Sequence, residues 1–294
     1  MITKNLNNTF EVILIEKELQ FYEEECIKRG LSKNTIYNNK LQIRKFLESG
    51  LNIDEYKSYL MSKKIVNSKN AISYLKPKSI NTILNILKSF YNTKGMEVKI
   101  DTLKIQKQVF LTNILSENEF KRILKQVYLK KDIRSYSLFI LLARSGCRIS
   151  EALDIDKSQI QSLGKNGGII TIFGKGNKSR QIIISKEVSK ILKDYIENDL
   201  YFDNSTKLFT SKYGSLKRQS AHNDIKKYTG LARIKKSKGH LHNLRHLFCI
   251  NAIDNGLNIT EVAQIVGHSD INTTKIYTNK NGDQLKNILN SIKY

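Results

Sequence analysis

Cysteine is scarce in this 294-residue chain, and the three present, Cys26, Cys147 and Cys249, lie far apart. An odd number at such spacing suggests neither a disulfide framework nor a zinc ribbon; reduced thiols in a cytoplasmic protein are expected. Proline occurs once, at Pro77, ahead of a helical pattern rather than inside one. Long apolar runs are missing. The longest, Leu138 to Ala143 (LFILLA), is far too short to span a bilayer, and the opening MITKNLNNTF lacks the apolar core of a signal peptide. Acidic residues are in deficit: 27 Asp and Glu against 50 Lys and Arg, a formal net charge of +23. The surplus is no detachable tail. Residues 1–113 hold 19 basic and 11 acidic side chains (net +8), and the remainder 31 and 16 (net +15). A basic globular protein attracts polyanions, nucleic acid foremost, although a lysine-rich proteome produces the same bias.

What is present reads mainly as helix. Residues 10–29 mix apolar and acidic positions and stop at Gly30. Ser32 can cap LSKNTIYNNKLQIRKFLES, on which Ile36, Ile43, Phe46 and Leu47 share one side. Beside that face, Lys33, Tyr37, Lys40 and Arg44 form a basic stripe, with Lys33, Lys40 and Arg44 as candidate DNA contacts. An ordinary solvated face is the equal alternative. Further helices are expected over Ile53–Ser62 and Lys78–Thr93. Residues 98–113 lack a clear period and read as a linker between domains at 1–97 and 114–294. Ser116 with Glu119 is a capping-box pattern, and SYSLFILLARSG is apolar nearly all round, as a buried helix would be. GGIITIFGKGNKSRQIIIS has two β-branched runs flanking a Gly- and Lys-rich turn, the pattern of a hairpin. The expectation is a small all-helical domain, then a larger helical domain containing a small sheet.

All five histidines fall between His222 and His268. His242 and His246 have the i,i+4 spacing of a helical zinc pair, but Arg245 stands between them, and HExxH is absent. Arginine there fits an anion instead, because guanidinium matches phosphate oxygens in a bidentate way. In SGCRISEAL, Arg148 sits where a helix would start, and Glu151 is placed to orient it or to form an ordinary surface pair. In FGKGNKSR, Lys175 lies between two glycines, which let the backbone approach a ligand; a solvent-exposed turn is the alternative. His268 and Tyr277, nine residues apart in VGHSDINTTKIYTN, would face opposite ways on one continuous helix. Gly267 can end one helix and Ser269 or Asp270 can cap the next, so a break lets both face one target.

In chain order these fragments read GxRxxEAL, GKGNKSR, HNLRH, VGH and TTKIYT. Together they resemble the catalytic domain of the tyrosine site-specific recombinases (the phage-integrase family), most of all the Xer-like members. The similarity covers about residues 114–294, and LSKNTIYNNKLQIRKFL resembles the family's helical core-binding domain more loosely. VGH stands where LGH is commoner, and Ala152 follows Glu151 where leucine is common nearby.

The resemblance implies a mainly α fold: an N-terminal helical, SAM-like core-binding domain and a C-terminal α+β catalytic domain with a small β-sheet. It implies that Tyr277 attacks a scissile DNA phosphate to give a 3′-phosphotyrosyl link. Arg148 and Arg245 would clamp that phosphate and His268 would hydrogen-bond to it. Lys175 would protonate the departing 5′ oxygen, and His242 would assist proton transfer at the nucleophile. His246 and His240 fall outside this set, His246 as a support. No metal, cofactor or ATP is implied. The implied partners are double-stranded DNA with specific recombination sites and a homotetramer on it, alone or with a second related recombinase. A C-terminal helix bearing Leu285, Ile288, Leu289 and Ile292 would dock into a neighbouring subunit, or pack on its own domain. Xer-like dimer resolution, mobile-element integration or excision, and DNA inversion share this chemistry. A type IB topoisomerase-like enzyme or a non-catalytic DNA-binding protein are the competing readings.

Overall fold

The computed structural model describes residues 2–66, 72–105, 113–173, 179–201, 204–268 and 270–277. The chain divides into two units, Met1–Lys107 and Gln108–Tyr294.

The first unit contains helices α1 (Ile2–Lys28), α2 (Lys33–Ser49), α3 (Ile53–Ser62) and α4 (Pro77–Thr93). The local signals act as expected. Ser32 Oγ accepts from the Thr35 amide at the start of α2, and Gly50, at φ 65°, ends it. Asn52 and Glu55 form a capping box on α3, and Pro77 is the first residue of α4. Tyr22 of α1, Ile36, Ile43 and Phe46 of α2, and Leu84, Leu87 and Phe90 of α4 build its core. The unit is not all-helical. Lys64–Val66 (β1) and Ile72–Tyr74 (β2) pair antiparallel. All six positions are exposed, so no inward–outward alternation marks these strands in the sequence. The first part of the segment read as a linker is fastened to this unit. Leu103 and Asn81 exchange hydrogen bonds at 2.8 and 2.9 Å, and Lys57 Nζ donates to the Asp101 carbonyl.

The second unit is helical around one hairpin. Its elements begin with α5 (Glu117–Leu129), α6 (Ile133–Ser145), α7 (Ile149–Asp154) and α8 (Lys157–Gln161). Strands β3 (Gly167–Phe173) and β4 (Ser179–Ser185) follow, then α9 (Lys186–Glu197) and a two-residue pair, β5 (Thr210–Ser211) with β6 (Gly214–Ser215). The chain continues through α10 (Arg218–Leu231), α11 (Leu241–Asp254), α12 (Ile259–Val266) and α13 (Asn272–Lys275). The Ser116–Glu119 capping box starts α5. Helix α6 is buried along most of its length and packs against α5, α9 and α11, which explains its apolar sequence. In the hairpin, Gly167 pairs with Ser185 and Phe173 with Ser179. Ile170, Ile172, Ile182 and Ile184 face the core while Ile169 and Ile183 face out, the period-two pattern of a half-buried sheet. Gly167 is required there: at φ 82°, a Cβ would lie 2.1 Å from the Ile184 carbonyl oxygen. The fold is thus mainly α, a helical N-terminal unit and a larger helical C-terminal unit, with small two-stranded sheets in both. No helix among the described residues is long and apolar enough to cross a membrane.

Candidate active site

Two chain breaks set the site. Helix α6 stops at Gly146, which adopts φ 63° and lies so close to the Phe248 ring that a Cβ would clash. The chain re-enters as α7, with Arg148 at its N-cap position. Glu151, only 3% exposed, accepts the Arg148 backbone N–H at 2.7 Å and its Nη1 at 2.9 Å. Glu151 therefore does orient the Arg148 guanidinium. Helix α12 begins with an Asn258–Glu261 capping box and ends at Gly267, φ 68°. The chain then turns, and α13 starts at Asn272 with Ile271 as its N-cap. The expected break between His268 and Tyr277 is present, and Asp270 contributes its backbone carbonyl to Thr273 N–H. Ser269, the other expected cap, lies outside the described residues.

Three guanidinium groups meet at the C-terminus of α12. Arg180 Nη1 donates to the Ile265 carbonyl at 2.5 Å, Arg245 Nη2 to the Val266 carbonyl at 2.7 Å, and Arg148 Nη2 to the Gly267 carbonyl at 3.1 Å. The last carbonyls of a helix have no intrahelical partner and carry its partial negative charge, so they hold cations well. Arg245, on α11, also donates through Nη1 to the Gly146 carbonyl at 2.6 Å and is 1% exposed. Arg180, on β4, donates to Glu151 through Nη2 at 2.7 Å and Nε at 3.4 Å. Arg148 and Arg180 share the Glu151 carboxylate while Arg245 is held by backbone carbonyls, so three guanidiniums and one carboxylate leave a local excess of two positive charges. Burial brings Arg245 down to about 10 and the Arg148 charge adds to this, yet it stays protonated at neutral pH. Burial works to raise the Glu151 carboxyl, but Arg180 and the Arg148 backbone outweigh it and hold it ionised below the usual range. Arg180 was not anticipated. It is the last residue of GKGNKSR, a motif read only for its lysine, and the pairing needs β4 beside α7 and α12.

His268 directly follows Gly267, and its Nδ1 lies 2.8 Å from Thr274 Oγ1 on α13. Tyr277, 9% exposed, closes that turn, with its N–H on the Thr274 carbonyl at 3.0 Å. Its hydroxyl lies 2.6 Å from His246 Nδ1, and the Cys249 thiol is a second partner. The neighbour of Tyr277 is thus His246, not His242. His242 sits one turn back on α11, its ring edge-on to His246 at 4.4 Å between centroids. The signal was readable: His242, His246 and Cys249 recur at i, i+4 and i+7, one face of a helix. Burial, then neighbouring His242 and Arg245, push His246 down to about 4. Burial with Arg245 and Arg148 brings His268 to about 4 as well, and His242 is lowered for similar reasons. All three imidazoles are neutral at pH 7. Burial, then Cys249, raises the Tyr277 phenol, which is fully protonated at rest.

Other expected positions divide. Lys175 and the C-terminal segment with Leu285, Ile288, Leu289 and Ile292 lie outside the described residues. In the first unit, Lys33 is exposed at the start of α2. Lys40 is paired with Glu23 of α1, and Arg44 with Glu16 through contacts of 2.5 and 3.0 Å. The basic stripe is therefore partly neutralised by α1, whose carboxylates the pattern of α2 alone did not reveal.

An arginine cluster on a helix end, with a neutral histidine and a tyrosine one short turn beyond, is a site for phosphate chemistry. Comparison with known proteins agrees. Residues 113–284 match the phage integrase family. The TnP I resolvase of Bacillus thuringiensis is 35% identical over 250 residues, 80% of this chain and 81% of that protein. The tyrosine recombinase XerD of Staphylococcus epidermidis is 30% identical over 301 residues, 93% of this chain and 96% of that protein. Among solved structures, the XerA recombinase is 26% identical at a TM-score of 0.53 and covers 95% of this chain and 99% of its own. The XerH site-specific recombinase bound to palindromic difH substrate shares the fold at a TM-score of 0.69 and 21% identity, covering 96% of this chain and 88% of its own. The chain belongs to the phage integrase family. Within it, the protein is a tyrosine site-specific recombinase.

Proposed function

We propose that this recombinase exchanges strands between two specific duplex sites through a 3′-phosphotyrosyl intermediate formed on Tyr277. The observation that carries the reading is the triple guanidinium cluster on the last carbonyls of α12, one short helix before Tyr277. Attack on a phosphodiester spreads negative charge onto the non-bridging oxygens, and preorganised cations stabilise that charge without reorganising. Arg148, whose side chain is 43% exposed, and Arg245 serve as the clamp; His268 donates a further hydrogen bond. Lys175 is assigned to protonate the leaving 5′ oxygen, and His242 to the proton inventory around the nucleophile. The phosphotyrosyl bond conserves the energy of the phosphodiester, so religation needs no ATP. No metal is assigned to the reaction, because the arginines supply its positive charge.

The partners we assign are double-stranded DNA carrying specific sites and a homotetramer assembled on it, working in the cytoplasm, alone or with a second related recombinase. Solved relatives are bound to recombination-site DNA, and one is a dimer on a core site. The similar resolvase and XerD chains favour resolution of replicon dimers or movement of a genetic element as the biological role.

A nicked suicide substrate tests the reading. Wild type forms a covalent protein–DNA complex and Tyr277→Phe does not. Exchange between two marked sites separates a recombinase from an enzyme that only relaxes DNA. If wild type traps no DNA of any sequence from its own genome, the reading is wrong.

A further inference from the structure

We infer that the β1–β2 ribbon of the first unit is a DNA-contacting element. Its outer face, with Lys64 and Tyr74, lies against a duplex, and Lys63, Lys76 and Lys78 beside its root meet phosphates. The inference rests on duplex DNA being the partner of this recombinase.

Charge is divided unevenly over the unit. Helix α1 carries six glutamates and three lysines. From Tyr56 to Met96 the chain has eight lysines and neither aspartate nor glutamate. That segment runs from α3 through the ribbon into α4. Lys40, Arg44 and Lys94 are paired with glutamates of α1. Lys63, Lys64, Lys76 and Lys78 are exposed and form no ion pair among the described residues. Lys76 and Lys78 stand at the N-terminal end of α4, where the helix dipole disfavours cations. These charges repel one another and do nothing for the fold, so they are available to an external polyanion.

The ribbon's side chains point the same way. Lys64 lies opposite Tyr74, Ile65 opposite Ser73 and Val66 opposite Ile72. Residues directly opposite share a face, so Lys64, Val66, Ile72 and Tyr74 form one face and Ile65 with Ser73 the other. Ile65 lines a groove of about 500 Å³ against α2 and α4, whose polar lining (Asn38, Gln42, Lys45, Ser79 and Thr82) contains no carboxylate. Val66, Ile72 and Tyr74 are each more than half exposed and cover nothing in this unit. A two-stranded ribbon is marginal on its own in water, which leaves this one with binding energy to gain from a partner. The major groove of DNA admits such a ribbon, offers apolar contact at thymine methyls, and is flanked by phosphates. A second copy of the chain would meet the apolar face with the same lysines, like charge against like; DNA brings the opposite charge.

The test uses the full chain and a labelled duplex of mixed sequence. Lysine acetylation read by mass spectrometry, with and without the duplex, gives a footprint. Lys63, Lys64 and Lys76 should be protected, and Lys17, exposed on the acidic α1, should not. In anisotropy titrations across a range of salt, Lys64→Gln/Lys76→Gln should lower the slope of log affinity against log salt by close to two, about 0.9 per phosphate contact. Val66→Ser/Ile72→Ser should weaken binding and leave that slope unchanged. The footprint needs no variant, so it decides the matter even where a substitution alters stability. Equal acetylation of the ribbon lysines with and without DNA would overturn the inference, as would a wild-type slope in Lys64→Gln/Lys76→Gln. Protection that grows with protein concentration in the absence of DNA would overturn it in favour of a contact between copies. Failure of the wild type to bind any duplex would refute DNA as the partner instead, a distinct result.

Discussion

Replacing Arg180 with alanine perturbs the protein at one definable point. Arg180 makes two contacts to Glu151, at 2.7 and 3.4 Å, and one to the Ile265 carbonyl at 2.5 Å. Both partners are poorly solvated: Glu151 is 3% exposed, and the Arg180 side chain 16%. Breaking a buried pair by removing one partner costs about 3–5 kcal/mol, mostly because a charge is left uncompensated. Glu151 keeps Arg148 as a second partner, through Nη1 and the backbone N–H, so a cost at or just below the bottom of that range, about 2–3 kcal/mol, is expected. For a unit of this size that is a fall in Tm of roughly 4–12 °C in calorimetry. Function should suffer beyond stability. The Arg148 guanidinium would be left to neutralise Glu151 alone, and the end of α12 that leads to His268 would lose one of its three cationic caps. At a temperature where the variant is folded, cleavage should drop at least tenfold with little change in DNA affinity. Arg180→Lys should recover part of the stability and less of the rate, because an ammonium cannot bridge Glu151 and Ile265 as a planar fork does. A Tm within 1 °C of wild type with a normal cleavage rate would refute this account of Arg180.

Three further outcomes are expected. Gly267→Ala places a side chain at φ 68°, with its Cβ 2.7 Å from Arg180 Cδ. It should cost about 1–3 kcal/mol and slow cleavage, read by thermal melts and covalent trapping. Acid should destabilise the second unit before its carboxylates titrate. The unfolded chain protonates His246 near 6.5 and the folded chain near 4, so stability is complete above pH 6.5 and falls as pH drops toward 4. The loss is at most about 3 kcal/mol for His246 and smaller for the more solvent-screened His268, and denaturant midpoints between pH 7 and 4.5 measure it. In the first unit, Lys40→Ala and Arg44→Ala should change DNA affinity by less than about threefold, their charges being already paired; Lys33→Ala should lower the salt slope by close to one.

Local physics made much of the protein legible in its sequence. Ser32, Ser116 and Pro77 mark helix starts because caps and proline act within one turn, and Gly267 marks an end because it can adopt a left-handed backbone. The hairpin shows in two β-branched runs about a Gly–Lys turn. The order of the arginine, histidine and tyrosine motifs identified the family. Three things required the folded chain. The β1–β2 hairpin carries no period, because both strands are exposed. The charge of the α2 stripe depended on Glu16 and Glu23 of another helix. Arg180 and His246 acquired partners only through packing: Arg180 meets Ile265, 85 residues away, and His246 meets Tyr277, 31 residues away. Short-range rules read spacing along one element, whereas a phosphate site is assembled across several. The sequence by itself determined which residue types are present and in what order. Tertiary structure decided that three guanidiniums share one helix end, and which histidine touches the tyrosine.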